Sequence, residues 1–370
     1  MKKINLGIIG CGNISDVYFR NCSKYDFLHI VACSDVNKER ALEKAKQYNV
    51  DYVLSTEELI KHPEVDIVIN LTPPKYHAQL NLMALENNKH VYCEKPITIT
   101  LEDAQKVLEL AKQKGLYVGC APDTFLGAGL QTSRKVIEDG WIGDVIGFSA
   151  FVLDSGPESW HPEPEDYYRY GAGPLYCLAP YYITALVNLV GPVKKVTAMQ
   201  KMTYKKRLIT SSLKYGQYFD VEMPTFVATL MELENNVIGN YTTSYDVWAT
   251  QTPNIEIYGT KGTLRVPDPN FFDGPVQIKT RNMSNWQNIP LIYSYTYDAR
   301  GLGIADMADA ILNNRKNRAH GDLAYHVLDV MHSIDKAVEE NRIIEVKSTF
   351  EKPQLFETGL LEHTFKSLRY

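Results

Sequence analysis

The sequence predicts an α/β protein in two parts: a parallel-sheet domain first, then an α+β domain with a large, mostly antiparallel sheet. Three observations predict it. Over roughly the first 120 residues, short apolar runs alternate with amphipathic stretches, the rhythm of βαβ units. After Pro122 the rhythm changes to a series of longer strand-like runs. Finally, 370 residues at roughly 150 per domain leave room for two domains, and a 45% hydrophobic, 22% charged composition can fill their cores.

In the first part, strands are expected at Ile4–Ile9, His29–Ser34, Ile67–Leu71, His90–Cys93 and Tyr117–Cys120. Helical patterns lie between them at Ile14–Cys22, Lys38–Tyr48, His77–Asn87 and Leu101–Lys114. Thr100, with Asp103 three positions on, caps the last of these and Gly115 stops it. The second part opens with a helix from Gly129 to Glu138. Strands then follow at Val145–Leu153, Val193–Tyr204, Thr225–Glu234, Val237–Asp246, Ile255–Gly259, Gly262–Val266 and Val276–Thr280. Asn235-Asn236 and Thr260-Lys261 read as hairpin turns. Helices at Ile304–Asn313 and Leu323–Glu340 follow the sheet. The expected division is 1–122 and 123–370, with no internal repeat.

Charge and cysteine usage narrow the class. Thirty-nine basic and 44 acidic side chains give −5 with no long run of one sign, which argues against a nucleic-acid partner held by phosphate contacts. Six cysteines contain no C-x-x-C, so no zinc site and no disulfide framework are expected, and a reducing cytoplasm suits them. The apolar start at Ile4–Ile9 is too short for a secretory signal. Leu175 to Val193 carries no charge and approaches the ~20 residues that span a bilayer. It also holds Pro180, Asn188 and Pro192, so a buried helix is expected there and no membrane partner.

The strongest local signal is Gly10-Cys11-Gly12-Asn13-Ile14-Ser15, directly after the first strand and opening a helix. Gly10 permits the tight turn, Gly12 admits a pyrophosphate to the backbone, and the helix start supplies N–H donors. Ser15 replaces the third glycine with a side chain still small enough for close packing. This is a dinucleotide-binding fingerprint in its proper context. Asp35 closes the second strand, where a carboxylate accepts hydrogen bonds from the adenosine ribose and repels a 2′-phosphate. NAD is therefore expected and NADP disfavoured. Thr72-Pro73-Pro74 with His77, and Glu94-Lys95-Pro96, sit at two further strand ends on the ligand side of such a sheet. An ammonium at Lys95 can hold a substrate hydroxyl or donate a proton to a carbonyl.

This ordered set, with Trp141-Ile142-Gly143 and Ile257-Tyr258-Gly259-Thr260-Lys261-Gly262 later on, resembles the Gfo/Idh/MocA oxidoreductases over nearly the whole chain. The resemblance implies an N-terminal Rossmann domain and a C-terminal domain whose open sheet serves as a homodimer or homotetramer interface. It also implies hydride transfer between NAD(P) and a sugar, cyclitol or related polyol, and a cis Lys95-Pro96 bond. The cofactor candidates are Gly10, Gly12, Asn13, Ile14, Asp35, Thr72, Pro73, His77, Glu94 and Lys95. The segment Pro122 to Thr132, followed by Glu158-Ser159-Trp160-His161-Pro162, is similar to one branch of that family.

One departure matters. The family's second-domain motif is usually D-x-G-x-H-x-x-D, whereas here Cys177 stands for the first aspartate, Ala179 for the glycine, Tyr181 for the histidine and Thr184 for the last aspartate. Cys177 and Tyr181, four apart, share a helical face. Lys95 is the first candidate for proton transfer, Tyr181 its helper, and His161 a second possible base. Substrate candidates are Lys95, Asp123, Trp160, His161, Tyr168, Cys177 and Tyr181. The aromatic cluster from Trp160 to Tyr182, which includes Tyr167, Tyr170 and Tyr176, suits stacking on a pyranose. Two rival readings accompany the dehydrogenase: a glycoside hydrolase working by transient oxidation with retained NAD, and a non-catalytic NAD-binding sensor whose active site lost its aspartate and histidine.

Overall fold

The computed structural model describes residues 3–365. Strand β1 (Ile4–Ile9) has side chains buried on both faces, as a central parallel strand requires. Around it lie β2 (Leu28–Ser34), β3 (Tyr52–Val53), β4 (Ile67–Asn70), β5 (His90–Cys93) and β6 (Val118–Cys120), in the order β3-β2-β1-β4-β5-β6. All five pairings are parallel. The chain order reverses between β1 and β4, and the crevice outside their carboxyl ends is where open α/β sheets bind ligands. Helices α1 (Ser15–Cys22), α2 (Lys38–Tyr48), α3 (Thr56–Lys61), α4 (His77–Glu86) and α5 (Leu101–Lys114) make the crossovers. Thr100 caps α5 and Gly115 closes it in the left-handed region, as expected. The sequence reading missed β3 and α3, although Ser55 and Glu58 form a capping box at the latter.

After α6 (Ala128–Glu138) the chain builds a nine-stranded sheet. Its members are β7 (Val145–Leu153), β8 (Val193–Lys201), β11 (Phe226–Leu233), β12 (Ile238–Ser244), β13 (Ile255–Gly259), β14 (Gly262–Val266), β15 (Val276–Thr280), β16 (Gln287–Ile289) and β17 (Ile344–Glu345). The order is β16-β15-β14-β13-β7-β12-β11-β8-β17, parallel only at β7–β12. Asn235 and Asn236 both take positive φ, the signature of the tight turn joining β11 to β12. Helix α7 (Gly173–Leu189) is the charge-free stretch, buried against β7, β11 and β12. Among the described residues no helix is long and apolar enough to cross a membrane.

Two features go beyond the sequence reading. The strand expected to reach Tyr204 ends at Lys201, and the chain leaves the sheet as an arm built on the two-stranded ribbon β9 (Lys206–Leu208) and β10 (Tyr218–Asp220). Helices α8 (Leu302–Asn313) and α9 (Gly321–Glu339) return to the first sheet. The Cys120 amide donates to Ala319 O at 3.0 Å, and Asn21 Nδ2 donates to Asp298 O and Arg300 O at 2.8 and 2.9 Å. These contacts fix the seam on which the site lies.

Candidate active site

The turn after β1 follows from two glycines. Gly10 has φ +99°, and a Cβ there would sit 2.8 Å from Leu71 O, so no other residue fits. At Gly12 a Cβ would meet nothing within 4 Å, leaving the backbone open to a ligand. Among the described residues no partner receives the amides of Gly12, Asn13 and Ile14, and the N-cap of α1 has no side-chain hydrogen bond. Three donors and a helix start thus face the same space, which suits a pyrophosphate. Buried Ser15 closes the turn on itself, its Oγ donating to Gly12 O at 2.6 Å.

Asp35 holds this turn against its neighbour. Its Oδ2 accepts from the Cys11 amide and its Oδ1 from the Asn37 amide, each at 2.7 Å. Each oxygen keeps a lone pair, so the carboxylate can still receive ribose hydroxyls. On the other side of the crevice, Thr72 donates its hydroxyl to Asn70 Oδ1 at 2.6 Å. His77 is fully buried and bridges two turns: Nδ1 lies 2.6 Å from Pro96 O and Nε2 2.7 Å from Thr72 O. Burial holds its pKa below the usual histidine range, partly offset by those two carbonyls. It fixes the prolyl turns rather than moving a proton.

Glu94 and Lys95 leave β5 toward the seam. Glu94 accepts from the Tyr18 hydroxyl at 2.7 Å and from the Lys95 amide at 3.0 Å. The Lys95-Pro96 bond is cis. Lys95 Nζ donates to the Cys177 carbonyl at 3.0 Å and stands 5.6 Å from the centre of the Tyr181 ring. Pro180 lies inside α7 one turn from this contact and leaves Tyr176 O without its usual helical N–H partner. Burial pulls the Lys95 pKa down, but Tyr181, Cys177, Glu94 and Tyr167 outweigh it and the net shift is upward. Its resting form is the ammonium, a donor and an electrostatic clamp.

The structure brings Lys95 to Cys177 and Tyr181, and Tyr167 flanks the same small core as Cys177. The Cys177 thiol is pushed up by burial and neighbours Tyr245. His161 packs edge-on against Tyr167 with centroids 4.8 Å apart, and Trp160 stands 6.3 Å from the same ring while 63% exposed. The His161 Nδ1 accepts from the Glu163 amide at 3.0 Å, which leaves Nε2 as its protonated nitrogen.

Two candidates face elsewhere. Asp123 is buried and caps α8, its Oδ2 accepting from the amides of Gly301 and Gly303 at 2.8 and 2.9 Å. Burial raises its pKa to about 6. Tyr168 is fully buried and donates to Glu158 Oε1 at 2.8 Å, inside a small core with Val221 and Tyr245. Its burial comes from the arm, which the sequence did not announce. Arg300, in the turn before α8, was missed: its guanidinium is held by Asp298 and Asn270, and Tyr181 leads the groups that raise its pKa against burial. No motif surrounds it.

A parallel sheet with a glycine turn at a helix start, a carboxylate at the next strand end and an ammonium at the seam defines the dinucleotide-binding class. Comparison with known proteins makes the class specific. Residues 4–121 match the model of an oxidoreductase family with an NAD-binding Rossmann fold, and residues 130–265 match the Gfo/Idh/MocA C-terminal domain. The chain is 30% identical to the 1,5-anhydro-D-fructose reductase of Ensifer adhaerens over 92% of its own length and 98% of that protein's. It is 23% identical to the myo-inositol 2-dehydrogenase of Thermotoga maritima over 70% and 74% of the two chains. A solved levoglucosan dehydrogenase in complex with NADH and levoglucosan superposes with TM-score 0.80 at 19% identity, covering 94% of this chain and 100% of that one. The chain belongs to the Gfo/Idh/MocA family of NAD-binding oxidoreductases.

Proposed function

We propose that the protein transfers a hydride between NAD and a CH–OH carbon of a sugar, cyclitol or related polyol, with NAD preferred over NADP. The observation that carries this reading is the Lys95 ammonium, held 3.0 Å from Cys177 O at the seam, on the same side of the sheet as the phosphate turn. Gly10, Gly12, Asn13 and Ile14 would receive the pyrophosphate and Asp35 the adenosine ribose. Thr72, Pro73, His77 and Glu94 would shape the wall beside the nicotinamide. The bound cofactor supplies the hydride acceptor or donor.

The chain's own residues handle the proton. In reduction, Lys95 Nζ donates a proton to the carbonyl oxygen as negative charge develops on it, a downhill transfer because an alkoxide is more basic than an amine. Tyr181 then relays a proton from solvent to the neutral amine. Oxidation runs the same path in reverse: Lys95 first releases a proton to solvent through Tyr181, and its neutral amine then takes the hydroxyl proton as the hydride departs. Trp160, Tyr167 and His161 present aromatic and imidazole faces to a ring-shaped substrate, while Asp123 and Tyr168 support the site from behind. Residues 1–122 would carry the cofactor and 123–370 the substrate and subunit contacts. The exposed side chains of Met199, Leu230 and Ile238, which the register places on one face, favour pairing of the open sheet in a homodimer or homotetramer. Six free thiols suit the cytoplasm.

The test is a panel of sugars and polyols followed by NADH absorbance, beside a denatured sample checked for released nicotinamide. Turnover of an exchangeable cofactor supports the reading. Retained cofactor with glycoside cleavage, or no turnover at all, overturns it.

A further inference from the structure

We propose that Arg207, on the arm that leaves the sheet, is a positioning residue that sets substrate affinity by seating the loop bearing Trp160, His161 and Tyr167. The inference rests on the reading above and concerns the substrate side of the same site.

The arm and the loop are stitched together at many points. The amides of Thr210 and Ser211 donate to Glu158 O at 3.0 and 2.7 Å, and the Glu222 amide donates to Tyr168 O at 2.9 Å. The Tyr170 amide donates to Glu222 Oε2 at 3.0 Å, and Lys214 pairs with Glu165. Arg207 is the centre of this seam. Its side chain is 9% exposed and pairs with Glu158 and Asp246, themselves 10% and 7% exposed. The same guanidinium donates to Tyr168 Oη at 2.9 Å, to Tyr245 O at 2.8 Å and to Ser155 O at 3.1 Å.

Those partners bracket the aromatic loop on both sides: Ser155 and Glu158 precede Trp160, and Tyr168 follows Tyr167. The small core under the guanidinium, Tyr168, Val221 and Tyr245, carries Tyr167 and Cys177 on its flank, the two residues beside Lys95. A planar fork with five donors reaches all of these acceptors at once, which the three donors of a lysine cannot do. The path is continuous: Arg207 to Tyr168 and Tyr245, these to Tyr167 and Cys177, and these to Lys95. Arg207 itself belongs to the buried seam and touches neither the phosphate turn nor Asp35.

The experiment compares full-length wild type with Arg207→Met and Arg207→Lys. It reads KM and kcat with the sugar found in the panel, NADH affinity by fluorescence, Tm, and the rate of tryptic cleavage after the exposed Arg169 within the loop. The proposal expects Arg207→Met to raise KM at least tenfold with kcat within threefold of wild type and NADH affinity unchanged. Arg207→Lys should fall between the two, and cleavage after Arg169 should accelerate in the same order. If Arg207→Met does not fold, Arg207→Lys and Glu158→Gln carry the test, with a smaller rise in KM and faster cleavage expected in each. An unchanged KM in a folded variant, or a fall in kcat and NADH affinity together with Tm, overturns the proposal. Wild type that turns over no sugar defeats the oxidoreductase assignment instead, and the cleavage rates then decide the seating role alone: unchanged cleavage refutes it.

Discussion

Replacing Asp35 with alanine should collapse the preference for NAD over NADP. The carboxylate braces the glycine turn through the Cys11 and Asn37 amides at 2.7 Å, and in the proposed reading it also faces the adenosine ribose. Losing charge-assisted hydrogen bonds to the ribose costs about 1.5–3 kcal/mol, or roughly 10- to 150-fold in NADH affinity. A carboxylate some 4 Å from a 2′-phosphate repels it by about 4 kcal/mol per unit charge at an effective dielectric near 20. NADPH should therefore gain from the same substitution that weakens NADH, and the affinity ratio should move by more than about a hundredfold. Fluorescence titration of both reduced cofactors at fixed ionic strength measures the ratio directly. Asp35→Asn separates the two duties, because it keeps an acceptor for one amide while removing the charge. An unchanged ratio in a folded Asp35→Ala protein would refute the ribose assignment.

Cys177→Asp restores the family's carboxylate next to Lys95 but places it where the ammonium already has the Cys177 carbonyl. The new charge should draw Lys95 away from substrate, lowering kcat at least tenfold; a gain in turnover would contradict this. Stability should fall on acidification through two buried histidines. His326 Nε2 accepts from the Val193 amide and His320 Nδ1 from the Leu323 amide, so neither ring can take a second proton without losing a backbone bond. Burial lowers both from 6.5 to about 4. Their contribution is complete above pH 6.5 and lost between there and pH 4, about 3 kcal/mol each. A Tm profile that is flat from pH 7 to 4.5, or as steep in His326→Gln as in wild type, would disprove it.

What the sequence made legible was local. The glycine turn, Asp35 and the Glu94-Lys95-Pro96 strand end each sit within a few residues of the strand that aims them, and the βαβ rhythm placed those strands. Pro180 was visible as an interruption of α7, but the bond between Lys95 and the Cys177 carbonyl joins residues 82 apart and no local pattern announces it. The arm was not legible because β9 and β10 are three residues each and their value lies in pairings to Glu158 and Tyr168 far along the chain. The same holds for Asp123. Nothing near it in sequence announces that α8, 178 residues on, needs its carboxylate. Sequence proximity grouped Tyr168 with the neighbouring aromatics, yet its hydroxyl's bonds to Glu158 and from Arg207 hold it inside.

The proposed mechanism depends on the ammonium at the seam, and Lys95→Met removes the charge while keeping the length of the side chain. Steady-state turnover of that variant, with NADH affinity measured in parallel, is the most direct trial. Proton transfer by a positioned group contributes about 10²- to 10⁴-fold, so kcat should drop by that much while cofactor affinity stays within about threefold. Turnover within about tenfold of wild type would contradict the assignment of Lys95 and, with it, the mechanism.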